Sequence, residues 1–291
     1  MRIVAEKLNA FYSEKTKFAV HALKEVSITI EEGEFYGIIG HTGSGKSTFV
    51  QHLNGLIKVG KKKGSLKIGE FDLTNKKCDF KSLRSKVGMV FQYPEYQLFA
   101  ETVEKDVAFG YKNFFPKATE EEIKRAVKYA LETCGLDYNA VKDKSPFDLS
   151  GGQKRRVAIA GVIVTKPEIL VLDEPASGLD PQGKKELFEL IRNLKNTFVK
   201  TVVLVSHDMD AVMENCTRVA IFDKGSVVKE GLPNEVFKDI EYLKGLGLDA
   251  PMTALCLKEL QQKGIEIDSE FTVQAFIDSV ERAYKTKGGA L

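Results

Sequence analysis

The chain has 291 residues, 43% of them hydrophobic and 29% charged, enough apolar content for a real core, which excludes global disorder, collagen and coiled-coil classes. Lys and Arg total 43 against 41 Asp and Glu, so the net charge is +2. A chain this balanced has no global field pulling it onto nucleic acid or anionic lipid, and no nucleic-acid partner is expected. The cysteines Cys78, Cys134, Cys216 and Cys256 are widely spaced without a CxxC pair, and read as reduced cytosolic thiols rather than a disulfide frame or zinc site. The N-terminus carries no apolar signal stretch, and no run approaches the ~18 apolar residues that span a bilayer. The chain is therefore expected to be soluble, with any membrane role reached through a partner.

Residues 1–39 read as strands, with Val26, Ile28 and Ile30 alternating with polar neighbours. Phe35 to Ile39 runs into a glycine-rich turn, and 45–56 then reads as a helix. Val87 to Phe91 is a further apolar strand. From about 93 to 165 the character becomes helical: Ile123, Ala126, Val127, Ala130 and Leu131 fall on a helical period, and Pro146 and an adjacent glycine pair punctuate the stretch. Short continuous apolar strands return at Ile169–Leu172, Val202–Val205 and Val219–Phe222, as for strands buried on both faces of a parallel sheet. Helices at about 181–196 and 208–215 lie between them, and Asp223-Lys224-Gly225 reads as a tight antiparallel turn. In the tail, Val273, Phe276, Ile277, Val280 and Tyr284 mark an amphipathic helix expected to pack as an appendage, and the lysine run around Lys58 and Lys61–Lys63 reads as a solvated turn.

The chemistry begins at Gly40-His41-Thr42-Gly43-Ser44-Gly45-Lys46-Ser47-Thr48, a G-x-x-x-x-G-K-[ST] pattern after a strand and before a helix. Glycines let backbone N–H groups turn around phosphate oxygens, and the helix N-terminus adds its positive end. Lys46 is expected to reach the β- and γ-phosphates and Ser47 to offer a hydroxyl to Mg²⁺. Ile169 to Glu174 is an apolar strand ending in two carboxylates, so Asp173 can face the Mg²⁺ shell and Glu174 can polarise a water for attack on the γ-phosphate. Leu149-Ser150-Gly151-Gly152-Gln153 opens another helix and forms a second anion-binding end. One nucleotide needs one cradle, so the second is expected to serve a nucleotide held by another subunit; a plain N-cap leaves Gln153 without a purpose.

With these motifs, residues 1–235 resemble the ATP-binding-cassette ATPases, whose most diagnostic signature is LSGGQ. The resemblance implies an α/β fold: a RecA-like P-loop core with an antiparallel β subdomain and a helical insert at about 93–165, followed by a small C-terminal helical appendage at 236–291. It implies ATP and Mg²⁺ as cofactors. Phe91-Gln92 resembles the Q-loop, with Gln92 on Mg²⁺ beside Ser47 and Asp173; Ser177-Gly178-Leu179-Asp180 resembles the D-loop; His207 resembles the switch histidine on the γ-phosphate; Tyr12 resembles the aromatic that stacks on adenine. His41 is expected to touch phosphate by its backbone.

The strings Phe91-Gln92-Tyr93-Pro94-Glu95-Tyr96-Gln97-Leu98-Phe99, Gln51-His52-Leu53-Asn54-Gly55-Leu56 and Gln153 to Gly161 narrow the resemblance to the energy-coupling-factor ATPases, subunits of bacterial importers for vitamins and for cobalt or nickel. That implies a second such ATPase subunit, identical or not, facing this one head to tail, a transmembrane coupling subunit and a substrate-binding membrane subunit, at the cytoplasmic face of the membrane. Tyr93, Tyr96 and Phe99 are expected to dock the transmembrane subunit, with Glu95 pairing a basic residue of that subunit. The alternatives are an ATPase subunit of another transporter class, or a soluble ATPase working on DNA or ribosomes; the latter usually carries an inserted coiled coil, zinc cysteines or two cassettes.

Overall fold

A computed structural model of the chain describes residues 1–265 and 267–286. The N-terminal half supplies an antiparallel sheet from β1 (Ile3–Tyr12), β2 (Val20–Ile30), β4 (Ser65–Ile68) and β5 (Phe71–Asp72), in the order β2-β1-β4-β5. The other sheet has six strands in the order β10-β9-β3-β8-β7-β6, from β3 (Phe35–Ile39), β6 (Val87–Val90), β7 (Ile169–Asp173), β8 (Thr201–Val205), β9 (Arg218–Asp223) and β10 (Ser226–Gly231). Within it β9, β3, β8, β7 and β6 run parallel, and β10 returns antiparallel beside β9. The return turn has Lys224 at φ 47 and Gly225 at φ 88, the left-handed pair that a two-residue hairpin needs.

The continuous apolar strands have the physical reason expected of them. Along β7, Leu170 and Leu172 enter one hydrophobic cluster while Ile169 and Val171 enter another, so both faces are covered. The first cluster lies against helices and the second against the antiparallel sheet and α1 (Lys46–Leu53).

Between β5 and β6 stands α2 (Phe80–Lys86), capped by Asp79. Residues 94–163 are then helical: a short 3-10 turn at Pro94–Gln97, α3 (Val103–Phe114), α4 (Glu120–Thr133), α5 (Tyr138–Val141) and α6 (Gly151–Ile163). Thr119 and Glu122 form a capping box that fixes the start of α4, and Ile123, Val127, Ala130 and Leu131 are its buried face. The parallel strands alternate with α7 (Pro181–Thr197) and α8 (Met209–Asn215).

In the tail, α9 (Pro233–Phe237), α10 (Ile240–Gly245) and α11 (Met252–Gln262) send Phe237, Leu243 and Ala254 into the first cluster. The amphipathic helix appears as α12 (Val273–Thr286), and its stripe packs only in part: Phe276 and Val280 are half-buried, while Val273, Ile277 and Tyr284 stay exposed. Residues 287–291 of the expected appendage lie outside the described residues. No helix among the described residues is long and apolar enough to cross a membrane.

Candidate nucleotide-binding site

Strand register brings the site together. Ile38 pairs with Val205, Val205 with Asp173, and Leu172 with Val90. The carboxyl ends of β3, β8, β7 and β6 therefore stand level, and the chain leaving them carries Gly40, His207, Glu174 and Gln92 to one edge, the usual ligand crevice of an open α/β sheet. There His207, Glu174 and Gln92 line an open cleft of about 530 Å³ with Tyr12, Thr42, Gly43, Gly45, Lys46, Ser47 and Thr48.

The glycines are there for backbone reasons. Gly45 has φ +106, and a Cβ would lie 2.6 Å from the Ala22 carbonyl oxygen, so β2 presses directly on the loop. Gly43 has φ +81 and faces open space. No side chain caps the N-terminus of α1, which leaves its first N–H groups for an anion.

Lys46 is only 8% exposed, and its Nζ donates to the carbonyl oxygens of Gly40 at 2.6 Å and His41 at 2.9 Å. Burial lowers its pKa, opposed by the nearby Glu174 and Asp173 carboxylates. Ser47 Oγ donates to Asp173 Oδ1 at 3.3 Å. Burial raises the Asp173 pKa, with the Ser47 hydrogen bond and the Lys46 charge opposing. A hydroxyl and a buried carboxylate are hard oxygen donors. They fit Mg²⁺, which takes one or two carboxylates plus phosphate oxygens and keeps several waters. Among the described residues there is no cluster of three or more His, Cys, Asp and Glu able to hold a metal by themselves.

Glu174 has φ 52, a left-handed conformation that costs about 1–2 kcal/mol outside glycine and turns its carboxyl into the cleft. His207 Nδ1 shares a 2.6 Å hydrogen bond with Glu174 Oε2. Gln92 Nε2 donates to Ser177 Oγ at 3.4 Å, which joins the Q-loop-like and D-loop-like segments. Tyr12 is half exposed at the mouth, its hydroxyl 3.1 Å from Thr48 Oγ1.

Gly40, His41, Ser44 and Asp173 do not line the cleft, and neither do Ser150 to Gln153, which are expected to serve another subunit's nucleotide. His41 turns its ring aside, with Nε2 2.9 Å from Asp223 Oδ1. Ser44 is buried beneath the loop. Ser150, Gly151, Gly152 and Gln153 lie outside the cleft at the start of α6. Gln153 has a structural purpose that the sequence reading denied it: its Oε1 accepts from Ser150 N at 3.1 Å while Ser150 Oγ accepts from Gln153 N at 3.4 Å, a capping box. Ser150 is thus held in place with Gly151 and Gly152 open, since neither glycine has a neighbour within 4 Å of a built Cβ.

Glu95 differs from expectation. Rather than waiting for a partner's cation, it accepts from Arg155 Nε at 3.0 Å and Nη2 at 2.9 Å. A guanidinium buried this deeply has to be paired within its own chain. Arg155 also donates to the carbonyl oxygens of Pro175 and Ser177. Sequence reasoning missed this joint, because its partners are 20 to 60 residues apart and share no motif. It also missed Val20, Ala22, Lys224 and Gly225 as cleft walls. The Asp223-Lys224-Gly225 turn was visible, but not where it would land.

The profile of the ABC transporter family matches residues 23–177. The energy-coupling factor transporter ATP-binding protein EcfA2 of Clostridium tetani is 47% identical over 275 residues, covering 94% of both chains. Among solved structures, cbiO1 of Clostridium perfringens, described as part of the ABC transporter complex cbiONQ, is 37% identical with TM-score 0.72, covering 88% of this chain and 98% of that one. A dimeric ATP-binding cassette in a post-hydrolysis state, bound to ADP and Pi, is 30% identical with TM-score 0.69, covering 79% and 98%. The chain belongs to the ABC transporter family, among its energy-coupling factor ATP-binding proteins. It is an ATP-binding ATPase.

Proposed function

We propose that the chain is the ATP-hydrolysing subunit that powers an energy-coupling-factor importer for a vitamin or transition-metal ion, bound peripherally at the cytoplasmic face of the membrane. Its cassette spans residues 1–235, with the helical insert at about 93–165, and 236–291 form the appendage. The observation that carries this reading is the division of the two anion cradles: Lys46, Gln92, Glu174 and His207 share one cleft, while Ser150-Gly151-Gly152 stands open outside it. Two subunits, identical or not, then face head to tail, each nucleotide held between Lys46 of one and the Ser150 cradle of the other.

In that arrangement Tyr12 stacks on adenine, and the backbone from Gly40 to Thr48 with Lys46 holds the phosphates. Ser47, Asp173 and Gln92 hold Mg²⁺, which when bound neutralises phosphate charge. Glu174 takes the proton of the attacking water, and His207, hydrogen-bonded to it, contacts the γ-phosphate. Loss of the γ-phosphate removes the bridge between subunits, and the differential affinity of ATP for the closed pair drives the membrane partner.

The transmembrane coupling subunit, which works with a substrate-binding membrane subunit, docks beside Gln92. The rings there are open for it: Tyr96 is 83% exposed, and Phe99 packs edge-on against Phe109 while both remain exposed. The test is affinity purification from detergent-solubilised membranes with mass spectrometry of what accompanies the chain. Recovery of a second ATPase subunit and a transmembrane subunit, reduced in Tyr96→Ala, is expected; purification of a lone soluble chain overturns the reading.

A further inference from the structure

The balanced net charge conceals a local imbalance. Lys58, Lys61, Lys62 and Lys76 line an open groove of about 760 Å³ whose floor is apolar, with Val59, Leu73 and Phe80. Among the described residues these four lysines enter no ion pair. Asp72 and Asp79 on the same segments pair with none of these lysines: Asp72 accepts from Thr74 N, and Asp79 caps α2 through Lys81 N and Ser82 N.

A second basic element adjoins the groove. Lys63 pairs with Glu14 at 2.5 Å and lies 3.8 Å over the Phe11 ring. That contact fastens the turn after β1 to the lysine loop, and the turn carries Lys15, Lys17 and Phe18. Phe18, in the same turn as Lys15 and Lys17, is 84% exposed. Unpaired lysines, an apolar groove and a protruding ring are the composition that binds anionic bilayers: lysines sit near headgroup phosphates while the ring enters the interface.

We propose that the surface made by Lys58, Lys61, Lys62, Lys76 and Phe18 binds anionic phospholipid at the membrane surface. This deepens the peripheral membrane reading; the lysine groove shares no wall with the nucleotide cleft, while Phe18 lies in the turn between two of that cleft's walls, Tyr12 and Val20. The contact is independent of protein partners and gives the subunit a lipid-dependent hold on the bilayer. Binding weakens as salt rises, because exposed charges are screened.

The test is sedimentation of the purified chain with vesicles of phosphatidylcholine alone or with about a third phosphatidylglycerol, at low and high salt. Binding to the anionic vesicles only, lost at high salt, is expected. Lys61→Gln/Lys62→Gln/Lys76→Gln lowers the partition coefficient about a hundredfold, from about fivefold per lysine, and Phe18→Ser lowers it further. ATP hydrolysis by both variants in detergent without anionic lipid stays at the wild-type level, which also shows that they fold. Equal binding to neutral vesicles, or undiminished binding by the lysine variant, overturns the proposal. So does competition by double-stranded DNA or free glycerophosphate at concentrations that match the vesicle phosphate, since the surface would then be a general anion site. Failure here leaves co-purification with a transmembrane subunit untouched, so the two readings fall separately.

Discussion

Arg155 holds Glu95 with a two-pronged hydrogen bond, Nε at 3.0 Å and Nη2 at 2.9 Å, and both side chains are largely withdrawn from water at 8% and 18% exposure. The same guanidinium reaches the Ser177 carbonyl oxygen at 3.1 Å. One side chain on α6 therefore fastens the segment after Gln92 and the segment after Glu174. Desolvation pushes the Glu95 pKa up, but the Arg155 hydrogen bond, a backbone hydrogen bond and the Arg155 charge together outweigh it and hold the carboxyl below its usual range.

Glu95→Gln is expected to cost about 3 kcal/mol, because a buried guanidinium loses its counter-charge. Thermal unfolding should fall by roughly 6–12 °C for a chain of this size. Replacing both residues by Met recovers much of that loss. The pair stabilises above the usual carboxylate pKa, and its contribution disappears as pH falls through the lowered value; a Glu95→Gln chain should lose this acid dependence in pH-resolved melts.

Glu174→Gln keeps shape and the chance of a hydrogen bond to His207 but removes the base. Hydrolysis is expected to slow by roughly 10²–10⁴-fold, the range of general acid–base catalysis, with ATP affinity retained. An ATP-stabilised dimer should then appear on size exclusion. Turnover close to wild type removes Glu174 from the base role.

Ser150→Arg fills the outlying cradle. Nucleotide binding by the monomer should be unchanged by calorimetry, since Ser150 is not a wall of the cleft. Hydrolysis should be lost, and a mixture with Glu174→Gln should recover one functional site per pair. Loss of ATP binding by the Ser150→Arg monomer itself would mean that the cradle serves its own chain.

Asp173→Asn separates stability from activity. Burial raises the pKa of Asp173, so at neutral pH its ionised form is a cost to the folded chain. The nucleotide-free variant is expected to melt about 2–4 °C higher at pH 7, for roughly 1 kcal/mol, while Mg²⁺-dependent hydrolysis collapses. The gain should shrink as pH falls through the raised pKa, where the wild-type carboxyl protonates in the fold, and vanish below the unfolded value. An equal gain at all pH values would contradict a charged Asp173 at neutral pH.

The sheet was legible wherever an apolar run had one physical cause. Ile169–Leu172 and Val219–Phe222 are buried on both faces, and nothing competes with that reading. The cleft was legible because a phosphate cradle compresses its requirements into nine adjacent positions from Gly40 to Thr48. What escaped was long-range. The strand pair β4 and β5 is too short to show a period, and the pairing of Glu95 with Arg155 depends on how α6 leans over the turn at Pro94. The tail stripe from Val273 to Tyr284 shows the opposite limit: periodicity identified the helix, but whether an apolar face is covered depends on neighbours that periodicity does not contain.

The hairpin turn at Lys224 and Gly225 ties what the sequence keeps far apart. Gly225 N donates to Ser44 O at 2.9 Å, Lys24 N donates to Gly225 O at 2.8 Å, and His41 reaches Asp223. One turn thereby rivets the glycine-rich loop to β2, whose Val20 and Ala22 wall the cleft. The two walls of the cleft are a single piece of masonry. Gln92, by contrast, meets Ser177 through one 3.4 Å hydrogen bond. Beside that slack joint, Arg155 is the strut that fastens the segment after Gln92 to the segment after Glu174.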